Sequence, residues 1–180
     1  MRKNIVYLTG FMGSGKSTIG PILANTIGYE FLDIDKTIER TTNKTIIEIF
    51  ANNGEGYFRE VEKRVLQEIS NTHGRVVSLG GGTVTKSESL NLIKTSGVLV
   101  YLKSDPEEIF HRLKFKADRP LLKGNEGAML GKEELLQRIV RLMQERESFY
   151  TQADIVVNTA GKKIGHTVDE IVRKIHTLID

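Results

Sequence analysis

Short runs of apolar and β-branched residues alternate along the chain with longer stretches whose apolar positions recur every three or four residues. Five runs read as strands: NIVYL (4–8), EFLDI (30–34), VVSL (76–79), VLVYL (98–102) and DIVVN (154–158). Near-continuous apolar strands separated by helices need cover above and below, which is the pattern of a parallel sheet. The intervening stretches carry helical signals. In GYFREVEKRVLQEI, the residues Phe58, Val61, Val65, Leu66 and Ile69 fall on one stripe. SDPEEIFHRL offers Asp105 as an N-cap, Pro106 in the first turn and Glu108 three residues on. HTVDEIVRKIHTLI offers a second capping box, Thr167 to Glu170. The expected fold is α/β, a five-stranded parallel sheet with helices on both faces, in a single domain over 1–180. One segment breaks the alternation. FKADRPLLKGNEGAMLGKEE (115–134) is polar and rich in Gly and Lys, and so long a connection in a compact domain points to a functional lid.

Composition narrows the function classes. With 180 residues, 39% apolar and 27% charged, the chain reads as one ordinary globular domain rather than a disordered segment. The net charge of +3 and pI of about 9.0 come from Lys and Arg spread along the chain. No dense basic run and no basic–aromatic interleaving occurs, which argues against nucleic acid as a partner and suits a pocket for small anions. Without cysteine there is neither a disulfide framework nor a thiolate metal site. The start, MRKNIVYLTG, has an apolar run only from Ile5 to Leu8, too short for a signal peptide. No later stretch approaches the roughly 18 apolar residues of a membrane span. The expectation is a cytoplasmic protein with no membrane partner.

Chemistry enters with LTGFMGSGKST. It follows the first strand and contains G-x-x-x-x-G-K-S as Gly10, Gly15, Lys16 and Ser17, with a helix to follow. In that context the N–H groups of Gly13, Ser14, Gly15, Lys16, Ser17 and Thr18 can ring a β-phosphate at a helix N-terminus. Lys16 can reach the β- and γ-phosphates, and the Ser17 hydroxyl can ligate Mg²⁺. A nucleoside triphosphate is therefore the expected ligand. Pro21, in the second turn of that helix, removes the bond its N–H would give the Ser17 carbonyl and leaves room for a slight kink. A GTPase would carry Asn-Lys-x-Asp after a strand; the only Asn-Lys here, NKTI (43–46), has Ile46 where Asp is needed.

Three further stretches describe a second ligand that is not a nucleotide. FLDID places Asp33 and Asp35 at the carboxyl end of the second strand, where open α/β sheets bind ligands. Carboxylates there accept hydrogen bonds from hydroxyls; the plainer alternative is that Asp35 caps the following helix. YFREVE puts Arg59 in the first turn of a helix, unfavourable against the dipole unless it faces an anion, with Glu62 spaced to brace it. The alternative for that pair is a solvent-exposed ion pair. Finally, VVSLGGGTVT empties a strand into Gly80, Gly81 and Gly82, a backbone that must come very close to something.

Together GFMGSGKSTIG, FLDID, IIEIF, GEGYFREVE, SLGGGTV, DRPLL and RESFY resemble the shikimate kinase family over essentially the whole chain. The resemblance implies a P-loop kinase that transfers the γ-phosphoryl of ATP to the 3-hydroxyl of shikimate, with Mg²⁺ as cofactor and a monomer as the working unit. It implies that Gly13 to Thr18 cradle the ATP phosphates, that Ser17 ligates Mg²⁺, and that Asp33 reaches the metal through water. Asp35 is similar to the family's acceptor for the shikimate 3-hydroxyl, which implies a place to hold that hydroxyl and to take its proton; Arg59 and Arg146 resemble the pair that clamps the shikimate carboxylate. Gly81 resembles the glycine whose N–H reaches the substrate. Arg119 resembles the lid arginine that closes over the transferring phosphate, and Arg112 the residue that stacks on adenine, unless it is a plain helix-terminal cation. The substrate-binding region is expected at about 33–62 and a mobile lid at about 113–131. FYTQADI is one residue shorter than the family's usual piece before the last strand. A gluconate kinase would share the phosphate loop but not the carboxylate, arginine and triple-glycine set. Lys16, Ser17, Asp35 and Arg119 together weigh against a nucleotide-binding regulator that has lost catalysis.

Overall fold

The computed structural model describes residues 4–113 and 131–179. In chain order the elements are β1 (Ile5–Thr9), α1 (Lys16–Ile27), β2 (Glu30–Asp33), α2 (Ile34–Thr42), α3 (Ile46–Ser70), β3 (Arg75–Ser78), α4 (Ser87–Ser96), β4 (Val98–Lys103), α5 (Pro106–Leu113), α6 (Lys132–Tyr150), β5 (Ile155–Asn158) and α7 (Ile164–Ile175). A short 3₁₀ turn, Thr83–Thr85, precedes α4. The sheet runs β2-β3-β1-β4-β5, every pair parallel. All five expected strands form, within one residue of their expected starts.

Period-two alternation in β1 divides the core. Ile5 and Tyr7 face a cluster with Ile34, Ile38, Val65, Leu66 and Ile139, while Val6 and Leu8 face Ile19, Leu23, Ile171 and Ile175. Helices α1 and α7 therefore cover one face, and α2, α3 and α6 the other. Because β1 sends its helix to β2 while β3 and β4 flank it, the strand order reverses beside β1, and the carboxyl ends of β1, β2 and β3 open at that point.

Several local expectations change. Helix α1 continues through Pro21. Helix α7 begins at Ile164, so Thr167 is inside it and fully buried, its hydroxyl turned back on the Lys163 carbonyl at 3.4 Å. The expected Thr167–Glu170 capping box does not form, because Glu170 is drawn instead to Lys162 at 2.7 Å and Lys174 at 2.9 Å. A capping box does open α3, where Glu48 N–H donates to Thr45 Oγ1 at 3.2 Å and Thr45 N–H to Glu48 Oε2 at 2.7 Å. Helix α3 is broken at Gly54, whose φ of 78° and ψ of 174° are not helical. Arg59 accordingly lies one turn beyond the start of the second piece rather than in its first turn. Of the polar segment 115–134, residues from Lys132 onward are already helix α6; Arg119 and residues 114–130 of the expected lid lie outside the described residues. No described helix is long and apolar enough to cross a membrane.

Candidate active site

The loop between β1 and α1 is built by glycines in conformations that disfavour a side chain. Gly10, Gly13 and Gly15 have φ of 138°, 82° and 104°. Lys16 Nζ folds back over the loop, donating to the Gly10 carbonyl at 2.7 Å and the Phe11 carbonyl at 3.2 Å. Two of the amides expected to face phosphate are turned inward: Ser14 N–H donates to Phe11 O at 3.1 Å and Thr18 N–H to Gly15 O at 3.0 Å. Ser14 is buried with its hydroxyl unpartnered, a polar group aimed at nothing within the described protein. Ser17 and Thr18 are exposed. Arg112, in the last turn of α5, donates to the Gly13 carbonyl at 3.1 Å and to Glu108 at 2.7 Å, which ties α5 to the loop.

Asp33 and Asp35 separate in role. Asp33 caps α2, its Oδ1 accepting from Asp35 N–H at 3.1 Å and Lys36 N–H at 3.3 Å. Asp35 lies within the first turn of α2 and is no cap. Burial, then the carboxylates of Asp33 and Glu62, push the Asp35 carboxyl up to about 6 against the pull of Lys16.

The three glycines bring the site together. None of them has a positive φ; what they need is room. A β-carbon on Gly80 would lie 3.3 Å from Asp35 Oδ1 and 3.5 Å from Glu62 Oε1. On Gly81 it would lie 3.2 Å from Arg146 Nη1, and on Gly82 3.0 Å from Arg59 Nη2. The loop after β3 is thus pressed against both arginines and the raised carboxyl at once. Asp35, Arg59, Gly81 and Arg146, spread from α2 to α6, converge here.

Arg59 is not a solvent-exposed pair. Its Nη1 donates at 2.8 Å to Glu62, whose side chain is 3% exposed, and its Nη2 pairs with Glu55 at 3.1 Å. Two carboxylates hold the guanidinium charge up despite partial burial. Residues the sequence did not single out complete the surroundings. Thr83 Oγ1 donates to Glu62 Oε1 at 2.6 Å, locking the brace to the glycine loop. Arg146 lies 5.9 Å from the Phe11 ring centroid and Arg59 5.1 Å from that of Phe58. Tyr150 Oη donates to the Gly81 carbonyl at 2.7 Å. In sequence Tyr150 closes the RESFY motif, one helical turn from Arg146, with nothing to indicate its partner.

Among the described residues no three His, Cys, Asp or Glu side chains gather into a metal cluster. Mg²⁺ delivered with a nucleotide is held by one or two protein groups, phosphate oxygens and water. Ser17, exposed at the start of α1 with no hydrogen bond from its hydroxyl among the described residues, is a suitable group.

The family model for shikimate kinase matches residues 12–176. The shikimate kinase of Chlorobaculum tepidum is 51% identical over 172 residues, covering 96% of this chain and 90% of that one. The 1.7 Å crystal structure of shikimate kinase from Bacteroides thetaiotaomicron superposes with a TM-score of 0.86 at 32% identity, covering 96% and 98% of the two chains. The shikimate kinase of Acinetobacter baumannii in complex with shikimate gives the same TM-score of 0.86 at 32% identity, with 97% and 94% covered.

Proposed function

The chain belongs to the shikimate kinase family and is an ATP-dependent kinase acting on shikimate; on that premise we propose that the 3-hydroxyl is the group phosphorylated and that the residues gathered at Gly80–Gly82 carry the reaction. The observation that bears most weight is the packing of Asp35, Arg59 and Arg146 against that one loop. It brings two cations and a hydroxyl acceptor against successive residues of one loop.

In the proposed mechanism Arg59 and Arg146 pair with the substrate carboxylate, their planar forks fixing the direction of the ring. Gly81 supplies a backbone donor. Asp35 accepts a hydrogen bond from the 3-hydroxyl and takes its proton as that oxygen bonds to the γ-phosphorus. The bond from phosphorus to the β–γ bridging oxygen breaks, ADP leaves, and shikimate 3-phosphate forms. Little covalent chemistry is asked of the protein, so positioning and charge dominate. Gly13, Ser14, Gly15, Lys16, Ser17 and Thr18 form the phosphate cradle, with Lys16 leaving the carbonyls of Gly10 and Phe11 for the β- and γ-phosphates. Ser17, and Asp33 through water, would hold Mg²⁺, which when bound offsets phosphate charge. Arg112 lies against adenine, and Arg119 approaches the transferring phosphoryl from the lid (about 113–131), whose closure excludes water. The chain acts as one domain, with substrate bound by about 33–62, as a cytoplasmic monomer. ADP release by the purified protein tests the reading: shikimate should trigger it, and gluconate and AMP should not. Equal release with gluconate or AMP would overturn the substrate assignment.

A further inference from the structure

The glycine loop is polarised in a way that its sequence does not explain. All three of its carbonyls are tied down: Gly80 O accepts from Thr83 N–H at 3.1 Å, Gly82 O from Thr85 N–H at 3.1 Å, and Gly81 O from Tyr150 Oη at 2.7 Å. Thr85 Oγ1 adds a second bond to Gly82 O at 2.7 Å. By contrast the N–H groups of Gly80, Gly81 and Gly82 donate to nothing among the described residues. No cis peptide occurs there, and a trans unit points its C=O and N–H in opposite directions. Each hold therefore aims the N–H of the following residue: the bond to Gly80 O sets the Gly81 N–H, and the bond to Gly81 O sets the Gly82 N–H. Two of the three holds are local, made by residues three positions further along the same turn. The hold on Gly81 is different, because it comes from another element, 69 residues away.

That matters because glycine peptides reorient easily, lacking the Cβ that would restrict φ and ψ. Tyr150 is itself rigid. It is 1% exposed, and its ring lies 5.1 Å from that of Tyr101 at an angle of 32°. Burial raises its hydroxyl pKa, so it stays a donor at every working pH. It also lies one helical turn from Arg146 on α6, and a β-carbon on Gly81 would meet Arg146 Nη1 at 3.2 Å and Tyr150 Oη at 3.5 Å.

We propose that Tyr150 is a positioning residue for shikimate: its hydroxyl fixes the Gly81–Gly82 peptide so that the Gly82 N–H stays turned away from Tyr150 as a donor for the substrate's oxygens. Helix α6 thus serves the acceptor twice, directly through Arg146 and indirectly through Tyr150. The proposal rests on the reading of this site as the shikimate site.

The test is Tyr150→Phe, which keeps the buried ring and removes only the hydroxyl, with Tyr101→Phe as the matched control. Tyr101 gives its hydroxyl to Glu147 at 2.7 Å and touches no loop carbonyl. Steady-state kinetics against both substrates, melting temperature and amide hydrogen exchange over 79–85 are measured on all three proteins. Loss of one buried hydrogen bond is a change of about five- to tenfold. Tyr150→Phe should raise the shikimate KM by about that factor, leave the ATP KM within about twofold of wild type, and speed exchange in the loop. Tyr101→Phe should change neither KM, whatever it does to the melting temperature. A Tyr150→Phe enzyme with wild-type shikimate KM, or one in which the two KM values rise together with the melting temperature falling, overturns the positioning role. Absence of shikimate-dependent ADP release in the wild type would instead overturn the underlying reading.

Discussion

Between pH 7 and pH 5 the kcat/KM for shikimate should fall about tenfold, and the cause should be one carboxyl group. Asp35 is pushed up to about 6 by burial and by the carboxylates of Asp33 and Glu62. With that value about 90% is ionised at pH 7 and about 10% at pH 5, whereas an ordinary aspartate near 3.9 would still be about 90% ionised at pH 5. A substrate carboxylate of ordinary pKa stays largely ionised over the same interval, so the limb belongs to the enzyme. Asp33→Asn should move the limb to lower pH, since one of the negative charges that raise Asp35 is gone while Asn caps a helix about as well as Asp. The same shift has a consequence for stability. A folded-state pKa raised above its unfolded value contributes stability that is full below about pH 4 and lost as the pH rises through about 6. Ionised Asp35 therefore costs the fold up to about 3 kcal/mol at pH 8, from a shift of roughly two units at 1.36 kcal/mol each. Asp35→Asn should melt about 5 °C or more above wild type at pH 8 and close to it at pH 4, while losing activity. The assay is a pH series of initial rates from 5 to 8, paired with thermal melts. A wild-type profile flat to pH 5, or an Asp33→Asn limb that does not move down, would refute the reasoning.

Lys16→Ala should abolish phosphoryl transfer with the far-ultraviolet dichroism unchanged, because its ammonium folds back onto the loop carbonyls of Gly10 and Phe11 and the residue is not part of the buried core; normal turnover would remove the phosphate loop from the mechanism. Arg119→Ala should lower kcat by about 10³ or more with little change in the shikimate KM, as expected of a charge acting in the transition state; a change confined to the ATP KM would make it a ground-state ligand. Gly82→Ala should raise the shikimate KM about tenfold, since its methyl would lie 3.0 Å from Arg59 Nη2 and must displace that guanidinium. Its φ of −105° and ψ of −6° accept alanine, so the melting temperature should hold, and an unchanged KM would mean Arg59 yields without cost.

How much of this was legible beforehand depended on the range of the interactions. Strand positions and the two-sided cover follow from runs such as VLVYL, whose burial is dictated by composition alone. The phosphate loop is legible because all its parts are contiguous. Thr167–Glu170 misled because a capping pattern is four residues long and says nothing of competition: Lys162 and Lys174 take Glu170, and the helix starts four residues earlier, with Lys163 rather than Thr167 before its first turn. Asp35 could have been a cap or a ligand on spacing alone, and only the fold assigns the cap to Asp33. The glycines read in sequence as admitting a ligand close to the backbone; the fold adds that a side chain there would also meet the arginines and carboxylates of the site itself. The contacts of Tyr150 and Thr83 were not legible, although both residues stand in quoted motifs, because a hydroxyl reaching across elements has no periodicity.

The central claim is that this site reads a carboxylate at one end and a hydroxyl at the other. It is tested most directly by comparing kcat/KM for shikimate and for its neutral carboxamide, on wild type and on the Arg59→Ala, Arg146→Ala double variant. Two cations left in a pocket without their anion should cost the wild type several kcal/mol, so it should discriminate by about 10² or more. The double variant should hardly discriminate at all. Equal discrimination by both proteins would contradict the account, because the arginines packed against Gly81 and Gly82 would then not be what recognises the acid.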